Sequence, residues 1–196
     1  MAPRSLVLAT RNPHKLVEVG RLLAAVGIEI DPLPHGVQLP PEDGDTFAQN
    51  ALDKARTAAA ATGREAIADD SGIEAAALDG APGIRSARYA GLRASDEQNL
   101  EKLMREVPAG SELTYVCALA YVDPDPAAGE ERIFEGECRG RLALTRRGTG
   151  GFGYDPAFLP DEDPHGRTMA ALSDEEKDAI SHRGHAVRAL TAWLGR

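Results

Sequence analysis

The sequence predicts an α/β fold, and three features of the chain support this prediction. Residues 5–9 form a short apolar run that predicts a buried strand, and a turn and a helical pattern follow it at once. Residues 65–68 predict a second buried strand that ends in two adjacent aspartates, and open α/β sheets place ligands at the carboxyl ends of their strands. Residues 113–122 are apolar on both faces, as in a central strand.

The first strand is followed by signals for a helix start. Asn12 suits the N-cap, Pro13 the first helical position and Gly27 the C-terminal cap. Lys15 lies in the first turn, where free amides and the helix dipole favour an anion. The alternative is an ordinary strand–helix connection with a solvated lysine. A Walker A loop is excluded, because no Gly-Lys-Ser/Thr ending is present.

A proline-rich loop and a second helix come next. Residues 31–45 carry four prolines, two glycines and four acids, which indicates a loop, and Glu42 lies near its end. Thr46 predicts the start of a helix that runs to Thr62. Lys54 lies between apolar neighbours on this helix. We expect its ammonium to extend to solvent, with a ligand contact as the alternative.

The chain's most unusual stretch, residues 68–72, ends the predicted strand with two carboxylates, a hydroxyl and a glycine. Successive side chains of a strand point to opposite faces, so only one of Asp69 and Asp70 is expected to face a given cleft. Paired carboxylates beside the Ser71 hydroxyl suit a hard divalent cation that holds phosphate oxygens. The alternative is a turn, because Asp, Ser and Gly are common turn formers and Gly72 permits a sharp bend.

The following elements are predicted from capping and strand signals. Residues 95–107 predict a helix, and 113–122 with 132–139 predict a hairpin across a turn at 123–131. A third strand at 142–145 would extend that hairpin. Capping residues at 173 and 176 predict a short helix that contains Lys177, and residues 181–184 separate it from a last helix.

A glycine-rich stretch at 148–156 carries interleaved aromatic residues. Glycines let backbone amides approach a flat ligand while Phe152 or Tyr154 stacks on it. A glycine-rich hairpin turn with core aromatics is the alternative. The Ser-His-Arg-Gly sequence at 181–184 suits hydrogen bonding to an anion or to the polar edge of a base.

Composition excludes several classes of function. The 196-residue chain carries 22 basic and 31 acidic residues, a net charge of −9, which argues against a nucleic-acid binder. Cys117 and Cys138 are predicted to be free thiols. Its longest apolar run, at 116–122, is too short to span a bilayer. We therefore expect a cytoplasmic protein with neither nucleic-acid nor membrane partners.

Taken together, these stretches resemble the inosine/xanthosine triphosphate pyrophosphatase family. Its members hydrolyse non-standard purine nucleoside triphosphates (ITP, dITP and XTP) to the monophosphate and pyrophosphate, which removes them from the nucleotide pool. The matching segments follow the family's order over nearly the full chain: TRNPHK at 10–15, TF at 46–47, NA at 50–51, KA at 54–55, ADDSG at 68–72, GAPG at 80–83, SARY at 86–89, GGFGYDP at 150–156 and SHRG at 181–184.

The resemblance implies an α/β architecture: an elongated two-lobed fold with a long central mixed β-sheet flanked by helices and a nucleotide cleft between the lobes. Residues 1–196 would form one bilobal domain, usually as a homodimer that requires Mg²⁺. Asp70 would be the catalytic carboxylate, binding Mg²⁺ or accepting a proton from water. Asp69 is the alternative candidate for this role. Glu42 would be the second metal-facing acid, although this sequence has Glu42-Asp43 where the family often has two glutamates.

The resemblance also implies which residues bind the substrate. Thr10, Asn12 and Lys15 would bind the triphosphate. Donors at the base edge would bind the 6-oxygen of inosine or xanthosine, whereas the adenine amino group would leave them unpaired. How guanine is excluded and the preference among ITP, dITP and XTP are not fixed by the sequence. The remaining expected substrate-binding residues are Arg11, Lys54, Ser71, Phe152, Gly153, Tyr154, Asp155, Lys177, His182 and Arg183.

Two other functions compete with this one. A related class of nucleotide pyrophosphatases, similar to the septum-formation inhibitor, prefers modified pyrimidines, but the Phe152 stretch and residues 181–184 favour a purine. A nucleotide-binding regulator would keep the pocket without turnover, and the presence of Asp70, Glu42 and Lys15 argues against it.

Overall fold

The fold is built on a six-stranded mixed sheet, seen here in a computed structural model that describes residues 4–125, 127 and 129–195. The strand order is β2-β1-β3-β4-β5-β6. β1 pairs in parallel with β2 and β3, and β5 pairs antiparallel with β6. The predicted α/β class with a mixed sheet is confirmed. The strands are β1 (Arg4–Leu8), β2 (Ile28–Pro32), β3 (Ala66–Ala75), β4 (Glu112–Val122), β5 (Glu131–Leu142) and β6 (Phe158–Pro160).

Helices begin where the capping signals predict. The Asn12 side chain accepts hydrogen bonds from the amides of His14 and Lys15. Ser95 and Ser173 each form a complete capping box. One end differs, because α1 stops at Ala24 before the predicted cap at Gly27. The helices are α1 (Pro13–Ala24), α2 (Phe47–Thr62), α3 (Asp96–Glu106), α4 (Asp174–Ile180) and α5 (His182–Leu194).

The described residues fall into two compact units, each with its own apolar core. Unit 1 takes those within Met1–Asp70, Cys117–Gly136 and Arg183–Arg196, and unit 2 takes those within Ser71–Val116 and Glu137–His182. In unit 1, residues of β1, β3, β4, α1 and α5 share one buried cluster. In unit 2, residues of β3, α3, β4, β5 and β6 share another. Each unit therefore has an apolar core that can position the polar side chains around it.

Two strand predictions were wrong. β3 does not end at the two aspartates but continues through them to Ala75. Both acids are buried and have cationic partners, so the strand can carry them in its interior. No strand forms at the predicted 142–145; instead β5 reaches Leu142, and Phe158–Pro160 pairs with it. The predicted turn at 123–131 includes Pro126 and Ala128, which lie outside the described residues.

No helix within the described residues has both the length and the apolar character needed to cross a membrane.

Candidate active site

Two separate polar clusters form around the adjacent acids of β3, both within unit 1. Asp70 contacts Lys54 of α2, with 3.0 Å between Oδ1 and Nζ. Asp69 contacts Lys15 of α1 at 2.8 Å and Arg183 of α5 at 2.9 Å. The alternation of side chains along a strand sends the two carboxylates to different partners, as the sequence predicts.

The Asp70 cluster is built by α2 and the loop before it. Lys54 donates to Glu42 Oε1 at 2.5 Å and to the carbonyl of Asp69 at 2.9 Å. Asn50 lies one helical turn before Lys54 and donates to Asp70 Oδ2 at 3.0 Å, while its own oxygen accepts from the amide of Gly44. The expectation that Lys54 extends to solvent was wrong: it is 5% exposed and lies between two carboxylates.

Burial and charge set different proton affinities in this cluster. Burial, reinforced by the Glu42 carboxylate, raises the pKa of Asp70 against the opposing effect of Lys54. Burial also opposes ionisation of Glu42, but the Lys54 ammonium outweighs it and lowers the pKa of that group. Burial would lower the pKa of Lys54, yet the surrounding carboxylates outweigh burial and raise it. Lys54 therefore stays charged, and Asp70 is the acid with the higher proton affinity.

The Asp69 cluster is a balanced set of buried charges. Arg183 donates to Asp69 Oδ2 through two nitrogens and to Glu18 Oε2 at 2.5 Å. With Lys15 this makes two cations and two carboxylates. Burial alone would raise the pKa of Asp69, but Lys15 and Arg183 outweigh it and hold that pKa far below its usual range. Asp69 therefore stays ionised, and its low proton affinity disfavours Asp69 as the alternative proton acceptor.

The predicted phosphate-binding residues gather at the start of α1. Thr10 Oγ1 accepts from the amide of Asn12 at 3.1 Å, and Asn12 caps the helix whose first turn holds Lys15. Arg11 behaves differently, because its guanidinium donates to three backbone carbonyls between residues 33 and 37 at 2.7–2.8 Å. That geometry gives Arg11 a structural role, and its substrate contact stays a prediction.

In unit 2, Asp155 is the centre of a buried cluster of predicted base-binding residues. Its Oδ2 accepts from Lys177 Nζ at 2.6 Å and from the amide of Phe152 at 3.0 Å. Its Oδ1 accepts from the hydroxyl of Tyr115 at 2.9 Å. Lys177 Nζ also lies 5.2 Å from the centroid of the half-buried Phe152 ring. One carboxylate thus orients a cation, an aromatic ring and the loop that carries the ring.

The glycine-rich loop is held by backbone hydrogen bonds, and Gly151 leaves no room for a side chain. Gly150 donates its amide to the carbonyl of Ala170. At Gly151, with a φ of +67°, a Cβ atom would lie 2.0 Å from Asp155 Oδ2. Gly153 donates its amide to Asp96 at the start of α3, at 3.1 Å. A side chain at Gly151 would therefore displace the central carboxylate.

Three predicted base-side residues have partners that the sequence did not indicate. Tyr154 is buried and donates its hydroxyl to the carbonyl of Ser86, so its side chain belongs to the core. His182 stacks on Tyr115, with ring centroids 4.6 Å apart and planes 5° apart. Arg183 is 1% exposed and lies with Asp69 and Glu18 in unit 1. Contacts of these three with a base stay predictions.

The comparison with known proteins identifies the family. The Ham1 family model matches residues 6–193, almost the whole chain. The chain belongs to the Ham1 family. The resemblance inferred from the motifs is confirmed, since the dITP/XTP pyrophosphatase of Cutibacterium acnes is 45% identical over 193 residues, covering 94% of this chain and 93% of the relative. The dITP/XTP pyrophosphatase of Frankia alni is 48% identical over 200 residues, covering 96% of both chains.

Solved Ham1 structures match this fold as well. A HAM1 protein from Coxiella burnetii has a TM-score of 0.84 at 39% identity, and the Staphylococcus aureus Ham1 protein has 0.82 at 36%. Each match covers 98% of this chain and 98% of the other. The order of helices and strands in this chain is therefore that of a Ham1 protein.

Three residues of this Ham1 chain were missed by sequence reasoning. Asn50 lies within the NA motif at 50–51, one turn before Lys54, and this spacing could have assigned it to the same cluster. Glu18 stands one turn after Lys15 and could have been placed on the same helix face. Tyr115 has no such local signal, because its partners Asp155 and His182 are 40 and 67 residues away.

Proposed function

We propose that this protein hydrolyses non-standard purine nucleoside triphosphates, dITP, ITP and XTP, to the monophosphate and pyrophosphate. One observation carries the proposal: Asp70 and Glu42 converge on Lys54, beside a network that holds Lys15 at the start of α1. Acids and cations in such an arrangement suit phosphoryl chemistry, where positioning and charge stabilisation do most of the catalytic work. Relatives named dITP/XTP pyrophosphatases support this assignment.

The phosphate-binding role is assigned to the start of α1 and to Lys54. Free amides and the dipole at a helix N-terminus favour phosphate oxygens. Lys15 and Lys54 add two ammonium groups, and Thr10 and Asn12 add short polar side chains there. The contact of Ser71 with the phosphates rests on the resemblance alone.

The donor set suits Mg²⁺. No group of three or more metal-ligating side chains occurs within the described residues. Asp70 and Glu42 nevertheless lie close together, because each forms an ion pair with the Lys54 ammonium. Magnesium is commonly bound through one or two carboxylates together with substrate phosphates and water. Asp70 and Glu42 would hold the ion, and it would neutralise charge on the phosphate oxygens.

Asp70 is assigned as the catalytic residue. Attack of water on the α-phosphorus requires that a proton leave the water, and Asp70 is the acid of the cluster with the raised pKa. Lys54 and Asn50 hold one carboxylate oxygen each, which fixes the direction in which Asp70 can accept that proton.

The base-side cluster is assigned to the purine. A 6-oxo purine such as hypoxanthine presents an oxygen acceptor and an adjacent N–H donor. Lys177 offers donors and Asp155 offers acceptors, while Phe152 can stack on the ring. Adenine reverses the donor and acceptor at these positions, so it would leave buried polar groups of the site unpaired. The site should therefore discriminate strongly against adenine.

A pyrophosphate-release assay with Mg²⁺ tests the proposal across ITP, XTP, dITP, ATP, GTP and dUTP. We expect release from the first three and little from ATP. Preference for dUTP would support the pyrimidine-directed class instead. Tight nucleotide binding without release would support the regulator.

Chelation tests the magnesium requirement. With EDTA in excess, we expect pyrophosphate release from ITP to stop, because Asp70 and Glu42 would no longer hold a cation against the phosphates. Added Mg²⁺ should restore the rate. Circular dichroism in EDTA serves as the folding control, and an unchanged rate in EDTA would contradict the metal assignment.

Replacing Lys15 by alanine tests the phosphate site. We expect the KM for ITP to rise about tenfold, because a charge-assisted hydrogen bond to phosphate is lost. Arg64→Ala is the matched control, since Arg64 forms an exposed ion pair with Asp31 in the same unit. An unchanged KM in the Lys15 variant would contradict this assignment.

The homodimer, the cytoplasmic location, the single bilobal domain and the lack of nucleic-acid or membrane partners rest on the sequence and the resemblance. They stay predictions.

A further inference from the structure

The buried Tyr115 on β4 contacts two residues of the base-side cluster at once. Its hydroxyl donates to Asp155 Oδ1 at 2.9 Å, and its ring lies parallel to the imidazole of His182. The Tyr115 ring makes a second aromatic contact with Phe158, at 4.6 Å between centroids and tilted by 51°. Tyr115 is 6% exposed and forms part of the unit 2 core.

This placement matters because Asp155 also contacts Lys177 and the loop that carries Phe152. Its second oxygen accepts from Lys177 and from the amide of Phe152. A carboxylate oxygen accepts up to two hydrogen bonds, so the bond from Tyr115 fixes the direction from which a further donor can approach Oδ1. Rotation of the carboxylate would move the Lys177 ammonium and the Phe152 loop together.

We infer that Tyr115 is a positioning residue for base selection, acting through the carboxylate of Asp155 on 6-oxo purines. The inference rests on the proposed function for the identity of the base. Tyr115 acts as a buried donor on a core strand, with its ring in contact with two other rings. Its hydroxyl sets the acceptor direction of Asp155, and its ring sets the plane of His182.

Tyr115→Phe separates these two effects, because it removes the hydroxyl and keeps the ring in contact with His182 and Phe158. The probe is inosine monophosphate, with adenosine monophosphate for comparison, bound to the full chain in a calorimetric titration. We expect the preference for inosine monophosphate to fall about tenfold, the cost of one buried hydrogen bond to a charged group. In ITP hydrolysis, KM should rise while kcat changes little.

Tyr121→Phe is the matched control. Tyr121 lies on the same strand, is 2% exposed, and also donates its hydroxyl to a carboxylate, that of Glu65 in unit 1. This variant should keep the preference of the wild type. If both variants lose stability equally and only Tyr115→Phe loses preference, a merely structural role is excluded. Equal loss of preference in both variants would overturn the inference.

The Asp155→Asn background tests whether the effect passes through that carboxylate. There, Tyr115→Phe should no longer change the ratio of affinities for the two monophosphates. A tenfold change that persists in this background would overturn the inference. These binding results also stand apart from the proposed function. A wild type that binds inosine monophosphate selectively but releases no pyrophosphate contradicts the activity alone. A Tyr115 variant identical to an active wild type contradicts the positioning role alone.

Discussion

Asp70→Asn is expected to lower kcat for ITP by about 10²- to 10⁴-fold, the usual contribution of a positioned general base. Asparagine has nearly the same shape, but it carries no charge and cannot take up a proton from water. It also removes one of the two carboxylates assigned to Mg²⁺. Steady-state pyrophosphate release at saturating Mg²⁺ measures the effect.

The control is an aspartate in the same unit that is far less buried than Asp70. Asp31→Asn removes an exposed carboxylate that pairs with Arg64, and it should leave kcat unchanged. Thermal unfolding of both variants separates loss of chemistry from loss of structure. A folded Asp70→Asn enzyme with near wild-type kcat would refute the assignment of Asp70 as the catalytic carboxylate.

Local sequence signals predicted the elements of this fold well. Asn12, Ser95 and Ser173 each cap a helix as expected, because a cap depends on side chain and backbone groups within three residues. The strand through Asp69 and Asp70 was predicted too short, because acids inside a strand are unfavourable until partners are supplied. Those partners, Lys54 for Asp70 and Arg183 for Asp69, lie 16 and 114 residues away in sequence, beyond the range of a local pattern.

The candidate site was predicted in composition but not in arrangement. The motifs named Lys15, Lys54, Asp70 and Glu42, and the structure brings these near each other. It also gives the two adjacent acids different surroundings. Asp70 has a raised pKa beside Lys54, whereas Asp69 is held ionised by Lys15 and Arg183. The difference arises from the charges on each side of one strand, which sequence spacing alone does not specify.

Arg183→Met is expected to cause the largest loss of stability among single substitutions in unit 1. It removes the charge and much of the hydrogen bonding while keeping a long apolar side chain. Asp69 would keep its ion pair with Lys15 and a weaker interaction with Lys54, and Glu18 would lose its ion pair with Arg183. Breaking a buried ion pair from one side costs about 3–5 kcal/mol. Urea unfolding, monitored by circular dichroism, measures the change in free energy.

Two further variants decide what Arg183 does. Arg141→Met is the control, because Arg141 is exposed and its nearest contact to Asp161 is 3.8 Å, so little change in stability is expected. Glu18→Gln in the Arg183→Met background should recover part of the lost stability, since it removes an uncompensated buried charge. If Arg183 acts through Asp69, catalytic rates for ITP and ATP should fall by the same factor. A selective loss of the preference for ITP, in a variant as stable as the wild type, would give the opposite result. It would show that the guanidinium contacts the purine and that its ion pairs contribute little to stability.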